Sequence, residues 1–351
     1  MTKRRLAVRG FALLGALLAC TTWIACRGGW KGTVEERNGI QYVTNEGEGL
    51  DEGRVREELR TVWKVGGHPG QPPFSVVMWA DFDAEGNVYV LDYRQQTITK
   101  VGPDGRVAGQ FGKRGQEPGE LSKSRRFALV DSKLFFANEG NGRIEVLGTS
   151  GEVFPPVQLP EVRDPGEIYF AHQKFQVARR FVPNGSYVYT YDPSWKLDRA
   201  LRPAEPQKDR MDVIRSHNTV CPGPDGLWIV HMLLNRIQKI GWDGRVLLET
   251  SRDLDWAFPK DEQGNVIPEI LVHRACAVDP KGNLYVVYSN PEDWKRGNDV
   301  YKFGPDGRLL QKAFTLPVFN ATMMRFDREG NLYVGDETSL TKAKIERTEE
   351  R

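Results

Sequence analysis

Asp83-Ala-Glu-Gly-Asn-Val-Tyr-Val90, Asp279-Pro-Lys-Gly-Asn-Leu-Tyr-Val286 and Asp327-Arg-Glu-Gly-Asn-Leu-Tyr-Val334 are three copies of one unit. Asp with Gly-Asn makes a tight turn, because Gly and Asn tolerate positive φ. The alternating apolar and aromatic run behind it predicts a strand. Pro224 to Val230 is a shortened copy and Asp131 to Phe136 a degenerate one; the weakest lies around Gln173 to Val177. Each copy is followed by a second strand, as in Thr97 to Val101, Arg143 to Val146 and Arg236 to Ile240. A second turn comes next, such as Gly102-Pro-Asp-Gly105 or Gly304-Pro-Asp-Gly307, and then a last strand, as in Arg308 to Phe314. With the strand before each copy, that makes four antiparallel strands per unit.

The turns fall near residues 83, 131, 172, 225, 279 and 327, a spacing of 41 to 54 residues. Four-stranded units at this period predict an all-β chain folded as a six-bladed β-propeller. Ring closure tests the count. The last unit supplies strands at Met323 to Phe326, Asn331 to Val334 and Lys342 to Glu346, which leaves one strand missing. Arg60-Thr-Val-Trp-Lys-Val65 is a strand with no other home. It should complete the last blade from outside and cover its edge.

Gly112-Lys-Arg-Gly-Gln-Glu-Pro-Gly-Glu-Leu121 resembles the inter-blade motif of NHL repeats, and Gly142-Arg-Ile144 and Asn235-Arg-Ile237 resemble their third strand. The resemblance spans roughly residues 76–346. It implies a propeller architecture and no particular activity.

The first residues read as an export signal. Lys3, Arg4, Arg5 and Arg9 precede a short apolar run, Phe11 to Ala19. That run is well below the roughly 20 apolar residues that span a bilayer. Leu17-Leu-Ala-Cys20 resembles a bacterial lipobox, which implies cleavage before Cys20 and a diacylglycerol on its sulfur. Cys26, after Trp23-Ile-Ala25, is a rival site with a poorer match. An uncleaved anchor and a plain secretory signal are the competing readings. All of them place the body outside the cytoplasm, and the lack of a retaining Asp after Cys20 favours an outer membrane where the organism has one. The division expected is signal at 1–19, tether at 20–55 with a short strand at Ile40 to Val43, and propeller at 56–351.

The chain of 351 residues has a formal charge of +2, and losing the four basic residues of the signal brings it to −2. That balance gives no electrostatic case for nucleic acid. The 39% hydrophobic share excludes a disordered chain. Cys221 and Cys276 remain in the body without zinc-like spacing. A disulfide and two buried thiols are equally open readings.

Strand parity places the loops before each first strand and between each second and third strand on one face, here called the upper face. The longest insertions, Arg202 to Ser216, Ser251 to Val272 and Asn290 to Gly297, all fall there and carry Trp256, Phe258 and Trp294. Long loops on a rigid scaffold are where function concentrates. His217 and His273 begin neighbouring inner strands at the channel mouth, and Arg125, Arg126, Arg274 and Arg325 occupy similar regions of other blades. Such a rim suits an anionic or sugar-like ligand. The competing reading pairs these arginines with nearby acids and makes the tryptophans loop cores.

Enzyme readings find less support. Peptide-amidating lyases share this repeat and hold zinc with channel histidines, yet Ser124-Arg125-Arg126 stands where one such histidine belongs. Gluconolactonase-like propellers need acids around a central ion, whereas the acids here serve turns. No Gly-x-Ser-x-Gly elbow marks a hydrolase. The Asp-Gly-Asn turns lack the ligand alternation of a calcium loop. The expectation is a tethered binding module for a protein partner or small ligand, without cofactor. A metal-dependent lyase or hydrolase using His217 and His273 is the alternative.

Overall fold

A computed structural model describes residues 22–23, 30–67, 74–180, 188–201, 217–254, 272–289, 298–318 and 320–349. The six expected blades are all present. The first comprises Val77–Phe82, Val88–Asp92, Thr97–Val101 and Val107–Phe111. The second comprises Phe127–Val130, Lys133–Asn138, Arg143–Gly148 and Val153–Val157. The third comprises Glu167–Ala171, Lys174–Ala178, Val188–Tyr191 and Leu197–Leu201. The fourth holds Asn218–Gly223, Gly226–His231, Ile237–Gly241 and Val246–Arg252, and the fifth His273–Val278, Leu284–Tyr288, Asp299–Phe303 and Leu309–Thr315. The sixth joins Met323–Phe326, Leu332–Gly335 and Ser339–Glu349 to Val55–Gly66.

The closing strand is the one expected. Lys342 pairs with Trp63, Lys344 with Arg60 and Ile345 with Leu59, and the antiparallel ladder runs on to Glu349 opposite Val55. A buried ion pair fixes it to the neighbouring blade: Lys302 Nζ lies 2.5 Å from Glu57 Oε1, with both side chains almost fully covered. The apolar core lies between the blades. Val65, Val77, Val90, Tyr333 and Leu340 fill the seam between the sixth and the first. Val230, Phe303 and Val286 belong to the seam between the fourth and fifth.

The turns explain why the repeat is legible. Asn87, Asn283 and Asn331 each donate a backbone N–H to Oδ1 of the Asp four residues earlier, at 2.8 Å in all three copies. Their side-chain amides bond the other carboxylate oxygen of Asp83, Asp279 and Asp327. The degenerate copies turn differently. Asp131-Ser132 and His172-Gln173 are two-residue connections with positive φ at both positions (46° and 60°; 52° and 57°), the geometry of a tight hairpin loop.

The fourth blade is larger than expected. The strand foreseen at Ile40 to Val43 exists as Ile40–Glu46, and it pairs in parallel with Val246–Arg252. Lys31–Arg37 pairs antiparallel beyond it, then Thr22–Trp23, giving seven strands. Buried Asn45 holds this hairpin in place. Its Oδ1 accepts from Trp30 Nε1 (2.9 Å) and Leu309 N (2.6 Å), and its Nδ2 donates to Thr250 Oγ1 (2.9 Å) and Ser251 O (2.8 Å).

Candidate functional site

Six inner strands line the channel, and polar or covalent links cross from each to the next. Trp79 Nε1 donates to Phe127 O (2.9 Å), joining the first blade to the second. Arg126 Nε meets Glu167 Oε1 at 3.0 Å, joining the second to the third. Glu167 also accepts from Val220 N (3.2 Å) on the fourth. A disulfide between Cys221 and Cys276, with Cα atoms 6.3 Å apart, joins the fourth to the fifth. Arg274 Nη1 donates to Asn320 Oδ1 (2.8 Å), just ahead of the sixth blade. Arg325 Nη2 donates to Asp81 Oδ1 (2.7 Å) and completes the ring at the first.

Three of the arginines singled out from sequence therefore take part in the ring of bridges. Arg126 is the most enclosed. Its guanidinium packs on Trp79 (4.2 Å) and Tyr169 (5.3 Å), and Tyr169 Oη donates to Glu167 Oε2 at 2.5 Å. Burial raises the Tyr169 phenol pKa, so the hydroxyl keeps its proton and donates. Arg274 bonds Ser289 Oγ (2.9 Å) and Asn320 and has no carboxylate partner among the described residues.

Arg125 and His217 stand apart from that ring, at the upper mouth. Arg125 lies over the Tyr93 ring (4.3 Å), donates to its hydroxyl (3.0 Å) and reaches Glu139 only at 3.7 Å. His217 Nε2 is 2.5 Å from Arg180 Nη2. Burial, followed by the Arg180 charge, lowers the His217 pKa to about 4. The imidazole is therefore neutral near pH 7 and accepts from the guanidinium. Burial and the nearby Arg125 charge depress Arg180 in turn. Arg180 was not foreseen from sequence. The signal was there in Arg179-Arg180, directly after an apolar strand whose end parity places on the upper face. Glu167 was missed as well, a lone acid opening an apolar strand.

His273 is fully buried. Its Nδ1 is 2.5 Å from His231 O and its ring stands edge-on to Tyr288 at 4.5 Å. Burial lowers its pKa to about 3, so Nδ1–H donates to that carbonyl and Nε2 carries the lone pair. Nε2 finds no partner among the described residues. The two histidines thus stand in different surroundings. No three His, Cys, Asp or Glu side chains converge as metal ligands among the described residues. Trp256, Trp294, Phe258, most of the long insertions, and the lipobox with Cys20 lie outside the described residues.

No family model and no curated protein matches the sequence. Solved structures do match. A Streptogramin B lyase structure is 12% identical, with a TM-score of 0.53, covering 84% of this chain and 99% of that one. A protein of unknown function from Bacteroides thetaiotaomicron is 11% identical, with a TM-score of 0.53, covering 91% and 83%. The Hydrazine Synthase of Kuenenia stuttgartiensis is 14% identical, with a TM-score of 0.51, covering 76% of each chain. At such identities the likeness is one of fold, and it agrees with the blades counted above.

Proposed function

We propose that the chain is a lipid-tethered, extracytoplasmic propeller that binds an anionic group of a protein partner or small ligand at its upper channel mouth. One observation carries the reading: Arg125 and Arg180 gather beside the neutral His217, where burial and then the Arg125 charge depress Arg180, while Glu139 meets Arg125 only at 3.7 Å and Glu167 is already bonded by Arg126. An anion placed there relieves like-charge crowding and gains charge-assisted hydrogen bonds. The aromatic insertions expected around this mouth add contacts of the kind that dominate binding energy. Export is supported by the basic and apolar N-terminal run, the lipobox resemblance, and the Cys221–Cys276 bond, which suits an oxidising compartment.

Titration calorimetry with a short polyglutamate peptide and with inorganic phosphate tests the site. Binding that weakens with salt, and falls about tenfold in Arg180→Gln and in Arg125→Gln, is expected from losing a charge-assisted bond. Unchanged binding in both variants overturns it. Trp256→Ala and Trp294→Ala should weaken binding with melting unchanged. For the tether, Cys20→Ser should abolish labelling by palmitate. Labelling lost only in Cys26→Ser moves the lipid to that residue.

The competing reading is a metal-dependent lyase or hydrolase with His217 and His273, and a lyase among proteins of this fold keeps it in view. It requires one ion to bridge two rings that here face different neighbours. Elemental analysis of the purified soluble domain, with and without the double His→Ala substitution, decides between the readings.

A further inference from the structure

The fourth blade carries an N-terminal cover, and the register of that cover fixes where an anchored chain leaves the ring. Gln41 stands opposite Leu248 and Asn45 opposite Arg252 in the parallel ladder. Counting back along it, the Asn38-Gly39 turn of the hairpin lies level with Arg245 and Val246. Those residues end the tight turn begun at Gly241, on the turn face, the side of the ring opposite the upper mouth. The other end of the hairpin, where Lys31 faces Glu46, lies toward Asp253 and the upper face. Thr22–Trp23 adds outside, antiparallel, with Thr22 opposite Glu35 and Trp23 opposite Val34. In that direction the chain ahead of Thr22 comes from the Arg37 end, which is the turn-face end.

The hairpin is pinned along its length. Besides its bond to Asn45, Trp30 is buried beneath the Arg308 guanidinium, 5.0 Å from its ring. Beyond the hairpin, Leu50 N and Asp51 N donate to Leu309 O (3.1 Å) and Leu310 O (2.6 Å) of the fifth blade. A free tether of about 35 residues would let the ring wander about 30 Å from its lipid and turn any side toward it. Two residues reach at most about 7 Å. Cys20 is two residues ahead of Thr22, so a lipid on its sulfur holds the ring by this rim. The charge there is largely balanced, since Arg37 pairs with Glu35 and Arg245 with Asp243. Leu247 is left exposed beside them.

We propose that the turn-face rim of the fourth blade, around Asn38-Gly39 and Leu247, is the surface that lies against the lipid bilayer, so that the upper mouth opens away from the membrane. This rests on the anchor at Cys20 proposed above. The anchor then does more than retain the protein: it aims the mouth at partners in the surrounding compartment and keeps the fourth blade's turns beside the headgroups. A lipid on Cys26 would instead emerge four residues ahead of Trp30, at the Lys31–Glu46 end of the hairpin.

The test couples the chain from residue 20, carrying Cys26→Ser, through the Cys20 thiol to a maleimide lipid in phosphatidylcholine vesicles. Cys221 and Cys276 are occupied by their disulfide. A clickable azidophenylalanine replaces Arg245 on the turn face of the fourth blade or Arg94 on the upper face of the first, both exposed, and carries a donor dye; the acceptor sits on the headgroups. A compact domain of this size is about 50 Å across, so energy transfer is expected to be severalfold greater from position 245 than from position 94. Ten Gly-Ser residues inserted between Thr21 and Thr22 free the anchor, and the two efficiencies should then converge. Equal transfer from the two positions without the insert, greater transfer from position 94, or a difference that survives the insert overturns the proposal. The lipid is attached chemically, so this result stands apart from whether cells acylate Cys20, which palmitate labelling decides.

Discussion

Replacing Glu57 by Gln should unlock the ring at its closure. Glu57 sits on the closing strand and Lys302 on the third strand of the fifth blade, 2.5 Å apart and nearly solvent-free. At that distance, with an effective dielectric constant near 20, the attraction is about 7 kcal/mol. Burying two ions costs several kcal/mol each, so the net worth of the pair is small. Removing one partner is another matter, because the surviving charge stays buried: about 3–5 kcal/mol is lost. The amide oxygen of the variant can still accept from Lys302 Nζ but carries no charge, and the Tyr285 ring face at 5.2 Å is the other neighbour of that ammonium among the described residues. For a domain of this size each kcal/mol lowers the melting temperature by about 2 °C, so Glu57→Gln should melt about 6–10 °C lower. The double variant Glu57→Leu with Lys302→Met removes both charges and should regain most of that loss. Calorimetry of the four proteins gives the coupling. A single variant within about 1 °C of wild type, or a double variant as unstable as the single, would refute the reasoning.

Asn45→Ala leaves Leu309 N and Trp30 Nε1 without an acceptor, a cost of about 2–4 kcal/mol; hydrogen exchange should quicken in Lys31–Arg37 and Ile40–Glu46 while the inner strands stay protected. Replacing Cys221 and Cys276 by Ala opens a loop of 55 residues, and the chain-entropy relation puts the loss at about 4 kcal/mol in reducing-agent-independent unfolding. Acid should destabilise the protein through its histidines. Burial lowers the pKa of His217 and His231 to about 4 and of His273 to about 3. The unfolded chain therefore takes up protons first as pH falls below about 6.5. Stability contributed by the neutral rings is complete above that value and is lost on the way down to pH 4, by up to about 1.4 kcal/mol per histidine per pH unit. Urea midpoints that stay flat between pH 6.5 and 4 would contradict this.

The fold was legible where its causes are local. Asp83, Asp279 and Asp327 each bond an Asn four residues on, so spacing alone exposes the turn, and counting strands exposed the missing one at Arg60 to Val65. The degenerate copies at Asp131 and His172 were harder, because positive φ at two successive non-glycine residues leaves no fixed signature. Apart from that closure, long-range pairing was not legible. Nothing near Ile40 announces a parallel partner at Leu248, and nothing around Arg126 announces Glu167. Arg126, Arg274 and Arg325 take part in bridges between blades, and sequence does not show which cations are consumed in that way.

The closing strand has a consequence for biosynthesis. Val55–Gly66 is made early, and its partner Ser339–Glu349 follows only after roughly 270 further residues. At about 5–20 residues per second, that strand waits tens of seconds with its backbone unpaired. Bare strands invite the wrong neighbours, and charged side chains are the usual deterrent. Arg56, Glu57, Glu58, Arg60 and Lys64 all lie within its twelve residues. The charge that locks against Lys302 in the finished ring thus also serves the nascent chain, keeping its first blade strand soluble until its last one arrives.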